Sequence, residues 1–302
     1  MSADPTGHRY VIRSAQGSAE IAQVGAALRA LRIGDVDLVP RYADDLPTPA
    51  ASGVVLVPWP NRIRDGKWTQ RGETYQLAIS EPKFGNASHG LLRFAPYQQV
   101  ESGGADAVTL AATVFPQTGY PFHLDTRVTY TLTETGLVVD HDILNVGASA
   151  APVALGVHPY VCLSDVSTAD LQLELDAGSW FRVDERNLPV AEEPLDDAHD
   201  LRTPRRVGDL DLDAAFAGVA RGPDGRIRGM LHAPDGRRVE LWAGEGFRYL
   251  QVFTTDRYAG HDLALAIEPM SAPADALNSG RDLHWLESGE SWHLQWGITL
   301  HA

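Results

Sequence analysis

Hydrophobic and polar positions alternate along much of this chain, most regularly near its C-terminus. From Ser291 to Leu300, Trp292, Leu294, Trp296, Ile298 and Leu300 fall on one face, while Ser291, His293, Gln295 and Thr299 fall on the other. A period of two is the signature of a strand with one buried face. Val108–Val114 and Arg127–Thr133 are rich in Val, Thr, Tyr and Leu, which suit a pleated surface. Leu137–Val146 opens with an apolar run and then mixes apolar with polar positions. Further strands are expected at Tyr10–Ser14, Glu20–Val24, Val54–Val57, Leu171–Leu175, Arg226–His232, Arg238–Trp242, Tyr249–Phe253 and Leu263–Ile267.

Turn residues punctuate these runs. Ser102-Gly103-Gly104, Pro223-Asp224-Gly225 and Pro234-Asp235-Gly236 are the kinds of sequence that join antiparallel strands, and the last two bracket one strand of a meander. Ala26–Leu31 reads as a short helix between strand-like runs. Asp184–Asp213 carries Pro189, Pro194, Pro204 and an acidic cluster, and reads as an insertion loop. No internal repeat or low-complexity tract interrupts the pattern. The expectation is an all-β chain, a single domain over 1–302, built from large packed antiparallel sheets.

Composition narrows the function. The 302 residues are 44% hydrophobic and 22% charged, enough to bury a large core. The net charge of −15 disfavours nucleic acid and anionic membrane surfaces as partners. A lone cysteine, Cys162, permits no internal disulfide. Met1–His8 shows no basic stretch followed by an apolar one, and no apolar run approaches the roughly 20 residues of a membrane helix. A cytoplasmic location is the expectation.

Four segments between strand signals carry residues suited to chemistry. Pro58-Trp59-Pro60-Asn61-Arg62-Ile63 places an arginine after a proline-stiffened stretch, although composition alone favours a solvated surface arginine. Asn86-Ala87-Ser88-His89-Gly90 sets a histidine beside a glycine, where it either approaches a ligand or satisfies turn backbone. Gly156-Val157-His158-Pro159-Tyr160 ends an apolar run with a histidine and a nearby ring, compatible with a sugar site or with a structural histidine. Glu268 follows the apolar run Leu263–Ile267, where burial would raise its pKa toward that of a general base, unless it serves an ion pair. No nucleophile elbow, zinc helix or phosphate loop occurs, and the eleven histidines match no metal spacing.

In this order and spacing the four segments resemble the aldose 1-epimerase (galactose mutarotase) family, over about Tyr10 to Leu300. The resemblance implies a β-supersandwich around one sugar cleft, with no metal and no cofactor. It implies Glu268 as base, His158 as acid and His89 beside them. It also implies Arg62, Asn61, Tyr160 and Asp213 as sugar-binding residues, the last from Leu212-Asp213-Ala214-Ala215-Phe216, with Asp209 and Asp211 as neighbours. The substrate expected is a small free sugar, whose anomers are interconverted by ring opening and reclosure. The versions Pro-Trp-Pro-Asn-Arg-Ile-Arg-Asp-Gly and Asn-Ala-Ser-His-Gly-Leu-Leu-Arg look like a bacterial subgroup, some members of which are linked to sulfonated hexoses. Arg64, Lys83 and Arg93 stand near these motifs, to meet an anion or, as the favoured expectation, as surface charges. A non-catalytic sugar-binding sandwich and a sugar-phosphate epimerase of related fold are the competing readings.

Overall fold

The computed structural model describes residues 4–302, so the reading of Met1–His8 falls partly, at residues 1–3, outside the described residues. Two large antiparallel sheets form the body. The first has nine strands. Its centre is Gly136–Asn145 paired with Ser291–His301, flanked by Leu124–Leu132 and Ala107–Val114 on one side and by Arg238–Ala243 and Ile227–His232 on the other. The second has eight, with Ala264–Met270 at its centre between Tyr249–Thr255 and the short strands Gly156–Val157 and Tyr160–Val161. A four-stranded sheet covers Arg9–Asp37. One continuous apolar core joins the three and includes Leu28, Tyr130, Val139, Phe216, Leu250, Ile267, Trp296 and Ile298. Among the described residues, no helix is long and apolar enough to cross a membrane.

The alternation at the C-terminus does its expected work. Leu294, Trp296 and Ile298 are buried, and the two edges of their strand hold neighbours in register, Val139 opposite Trp296 and Leu241 opposite Ile298. The same pairing shuts His141 into the core, where Trp296 Nε1 donates to His141 Nε2 at 2.9 Å. The Pro-Asp-Gly turns also close as expected, with Gly222 N–H donating to Arg226 O and Ala233 N–H to Arg237 O around strand Ile227–His232.

Three local expectations are corrected. Ala26–Leu31 is not a helix: Ala26 turns at φ 47°, and Leu28–Ile33 is a strand paired with Gly17–Ala22. Its near-continuous burial hides the period of two. Asp184–Asp213 is not a plain insertion loop, because Pro189–Pro194 is an edge strand paired with Ser179–Val183 and Arg205–Arg206 edges the other sheet. Its prolines sit at the ends of an edge strand, where a missing N–H costs little. The strand expected to stop at Ile267 continues to Met270, so Glu268 lies inside it rather than after it.

Candidate functional site

The second sheet carries a cleft of about 310 Å³, lined by Asn61, Arg62, His89, His158, Asp213 and Glu268, together with Glu81, Arg93, Gln251 and Phe253. That volume sits at the low end of small-ligand cavities, about 300–1,000 Å³. Six of the seven residues expected at the site thus meet in one place. Tyr160 is the exception. It is fully buried and stacks against His158, with ring centroids 5.4 Å apart, behind the cleft wall rather than in it.

Backbone geometry delivers each side chain. Glu268 faces inward from the middle of Ala264–Met270, opposite Gln251 on the neighbouring strand. His158 sits at the kink between two short strands, held by its own N–H to Val54 O and by Gly53 N–H to its carbonyl. Asn61 and His89 both take left-handed backbone angles, φ 54° and 64°. Such angles are uncommon outside glycine and persist where the surroundings fix them. Here Arg62 pairs with Ser88 across a short ladder, and His89 N–H donates to Asn61 O at 2.8 Å. Gly90 must be glycine: a Cβ there would lie 2.2 Å from Val57 O. The turn bearing His89 can therefore press against the Val57–Pro58 backbone.

Asp275 locks the Arg62 segment from the far side. Its N–H donates to Arg62 O at 2.6 Å, and its Oδ1 accepts from Arg64 N at 3.0 Å and from Asn278 Nδ2 at 2.7 Å. The stretch that follows Glu268 thus returns to brace the arginine.

Electrostatics in the cleft are dominated by burial. His158 Nε2 lies 3.3 Å from Glu268 Oε1, and both side chains are buried. Desolvation, then the Asp213 charge, pushes the Glu268 carboxyl well above its ordinary range, with Arg62 opposing. Desolvation, aided by Arg93 and Arg62, lowers His158 to about 3. His89, half-buried with its Nδ1 closed off from solvent, is lowered well below its ordinary value by desolvation, then by His158, Arg93 and Arg62. Burial thus favours the uncharged form of each partner, and the carboxyl and imidazole titrate as one coupled pair that shares a proton. The rings of His89 and His158 stand 5.6 Å apart, edge to face. Asp213, rather than Asp209 or Asp211, reaches the cleft. It accepts from Gln251 Nε2 at 2.6 Å and from Asn187 Nδ2 at 3.1 Å.

Sequence reasoning missed Gln251 and Glu81 and misplaced Arg93. Gln251 was visible as a polar residue in the middle of the apolar run Tyr249–Phe253. Glu81 lies in a polar loop that offers no such contrast. Of the three basic residues near the motifs, Arg64 is engaged by Asp184 and Asp275, and Lys83 is exposed over Phe84. Arg93 is not a plain surface charge. It lines the cleft, its Nε is buried without a partner, and burial lowers its pKa. Among the described residues, no group of three His, Cys, Asp or Glu side chains is disposed to hold a metal ion.

The fold and cleft together define the galactose mutarotase-like class of β-supersandwich. A GalM/aldose epimerase homologue from C. elegans superimposes with a TM-score of 0.85 at 19% identity, covering 97% of this chain and 98% of that one. A galactose mutarotase-like protein from Clostridium acetobutylicum gives 0.84 at 18% identity, with 97% and 94% covered. The aldose 1-epimerase family model matches residues 8–299, and the chain belongs to that family. The uncharacterized protein YihR of Escherichia coli (strain K12) is 34% identical over 283 residues, 93% of this chain and 89% of its own length. Galactose mutarotase of Rattus norvegicus is 30% identical over 220 residues, 66% of this chain and 62% of its own length.

Proposed function

We propose that the protein is a mutarotase that interconverts the α and β anomers of a free hexose, with Glu268 and His158 as its acid–base pair. The observation that carries this reading is their 3.3 Å approach within the cleft. The two sugar atoms that exchange protons, the C1 hydroxyl oxygen and the ring oxygen, hang on the same carbon. The groups that serve them must therefore be neighbours.

Ring opening needs one group to take the hydroxyl proton and another to protonate the ring oxygen as the C1–O5 bond breaks. Glu268 as carboxylate and His158 as imidazolium perform it, ending as carboxylic acid and neutral imidazole. The open aldehyde rotates about C1–C2, and the reverse transfers close the ring on its other face. The uncharged forms that burial favours are the ones this pair holds while the sugar is open. Each transfer by a positioned group contributes about 10² to 10⁴ in rate. His89 can donate a hydrogen bond to the oxygen where charge develops, and Arg62 can fix the sugar through contacts that its closed and open forms share. Asn61, Gln251 and Asp213 offer polar contacts to the other hydroxyls, and Tyr160 fixes the plane of His158. The scheme calls for no metal or cofactor.

Arg93 favours a second reading of the substrate, a hexose bearing one anionic substituent such as a sulfonate. A guanidinium lining a cleft with no carboxylate of its own is suited to an anion supplied by the ligand. A phosphomonoester is less well matched, because Arg62 is already held by Glu81. Polarimetry of mutarotation on neutral, sulfonated and phosphorylated hexoses tests all of these. Acceleration of none of them would leave only a non-catalytic sugar-binding role. Arg93→Gln is expected to raise KM about tenfold or more for an anionic hexose and less than twofold for a neutral one.

A further inference from the structure

We propose that Glu81 is a positioning residue that holds the Arg62 guanidinium in the orientation it presents to the sugar. The inference rests on the reading of Arg62 as a sugar-binding group. Arg62 Nε donates to Glu81 Oε2 at 2.8 Å and Nη2 to Oε1 at 3.0 Å. This is the two-pronged match of a planar guanidinium to a carboxylate, which fixes direction as well as distance. Both side chains are mostly buried, at 14% and 22% exposure, so the pair is shielded more than an ordinary surface ion pair.

The fork occupies two of the five N–H donors. Nη1 is left facing Asn61 Oδ1 at 3.4 Å, and Phe84 lies against the guanidinium with its ring centre 5.6 Å away. Without this grip, a long side chain at the mouth of a cleft would lose its rotamer freedom only when sugar arrives. With it, that ordering is already done.

Glu81 is itself tied to the turn that carries His89. Its backbone N–H donates to Asn86 O at 3.0 Å, and its carbonyl accepts from Asn86 N at 3.3 Å. Next to it, Ser80 Oγ accepts from Ser88 N at 2.8 Å and donates to Ser88 O at 3.2 Å. The Glu81 carboxylate on Arg62, with the Glu81 backbone and Ser80 hydroxyl on residues 86 and 88, therefore joins the arginine and the histidine turn into one wall of the cleft. Asn86 Nδ2 also reaches Glu81 Oε2 at 3.5 Å. The Glu81 carboxylate takes Arg62 into an ion pair, whereas Arg93, which feels the Glu81 charge, makes no ion pair with a carboxylate among the described residues.

The test is a double-mutant cycle read in KM and kcat on the best hexose of the panel. Glu81→Gln keeps the side-chain shape and is expected to raise KM about tenfold while kcat changes less than threefold. In an Arg62→Met background the same substitution is expected to change KM less than twofold, because the residue it acts through is gone. An equal effect in both backgrounds would overturn the proposal in favour of a purely structural role for residues 80–88, and an unchanged KM in Glu81→Gln would overturn it outright. Wild-type turnover reports separately on the proposed activity. Should the wild type not turn over, the Arg62 Nε–H still reports on the grip by nitrogen-detected NMR of arginine-labelled protein. It should exchange slowly in wild type and at least tenfold faster in Glu81→Gln. Fast exchange in wild type, or no change in the variant, overturns the proposal.

Discussion

Two buried histidines in this molecule have been pushed to the same place by the same force, and they have opposite uses. His141 lies in the nine-stranded sheet and His158 in the eight-stranded one, and burial lowers each to about 3. His141 is closed on all sides and accepts a hydrogen bond from Trp296, so its lone pair is already used. His158 opens on the cleft, and its Nε2 meets a carboxyl whose own pKa has moved the other way. A depressed histidine pKa alone does not mark a reactive site. What separates the two is a second titratable group shifted oppositely, with space for a ligand beside the pair.

The comparison can be broken most sharply by exchanging amides for the key groups. Glu268→Gln is expected to lower turnover by about 10² or more while sugar binding, read by calorimetry, persists. His141→Gln should leave turnover within about twofold. If the two variants lose activity equally, the distinction between the regions fails.

Stability should show the reverse order. His141→Ala opens a cavity and leaves the Trp296 N–H without an acceptor, at a cost of about 2–4 kcal/mol in denaturant unfolding. His158→Gln, at the cleft wall, should cost less than about 1 kcal/mol.

The pH profile sharpens the comparison further. With ordinary values, about 4.3 for Glu and 6.5 for His, the acidic limb of the rate would belong to Glu268 and the basic limb to His158. The shifts exchange them. A second proton reaches His158 only toward pH 3, and the shared proton leaves Glu268 only well above its ordinary range. The acidic limb should therefore disappear in His158→Gln and the basic limb in Glu268→Gln, measured against a no-enzyme blank at each pH. Limbs that follow the unshifted order would show that the pair is not coupled as proposed.

His141 also predicts an acid sensitivity unrelated to catalysis. Its folded value is below that of the unfolded chain, near 6.5, so the unfolded chain binds a proton that the folded one refuses. This part of the stability is fully present above about pH 6.5 and is lost as the pH falls toward 3. Its share of the slope is at most about 1.4 kcal/mol per pH unit, and it should vanish from the unfolding curves of His141→Gln. The smallest effect expected is that of prolonged chelation, which should change turnover by less than about twofold, because neither region groups ligands for a metal.

The sheets were legible because their strands have one buried face, and the period of two appears wherever that holds, as in Ser291–Leu300. Leu28–Ile33 was lost because burial on both faces erases the period, and Pro189–Pro194 because an edge strand tolerates residues that a central one rejects. At the site, Arg62, His89, His158 and Glu268 stood out because each sits in a short segment of unusual composition. The position of Glu268 inside its strand, the place of Tyr160 behind His158 and the grip of Glu81 on Arg62 all depend on contacts between distant segments. No local pattern carries that information. Arg93 shows the same limit: its charge is visible in the sequence, but the burial of its Nε without a hydrogen-bond partner is a property of the folded chain.

The brace from Asp275 to Arg62 also governs when the cleft can exist. Its hydrogen bond from Arg64 spans 211 residues of chain, and the contact between Asn61 and Gln251 spans 190. Joining segments so far apart means closing very long loops before any contact rewards the cost, which slows folding. Arg62 emerges from the ribosome well before Asp275, and His158 well before Glu268. The nine-stranded sheet waits as well, since its central strand Ser291–His301 comes last. The cleft is therefore a late product of synthesis, with its Arg62–Glu81 wall made early and its far side missing until Glu268 and Asp275 have been added.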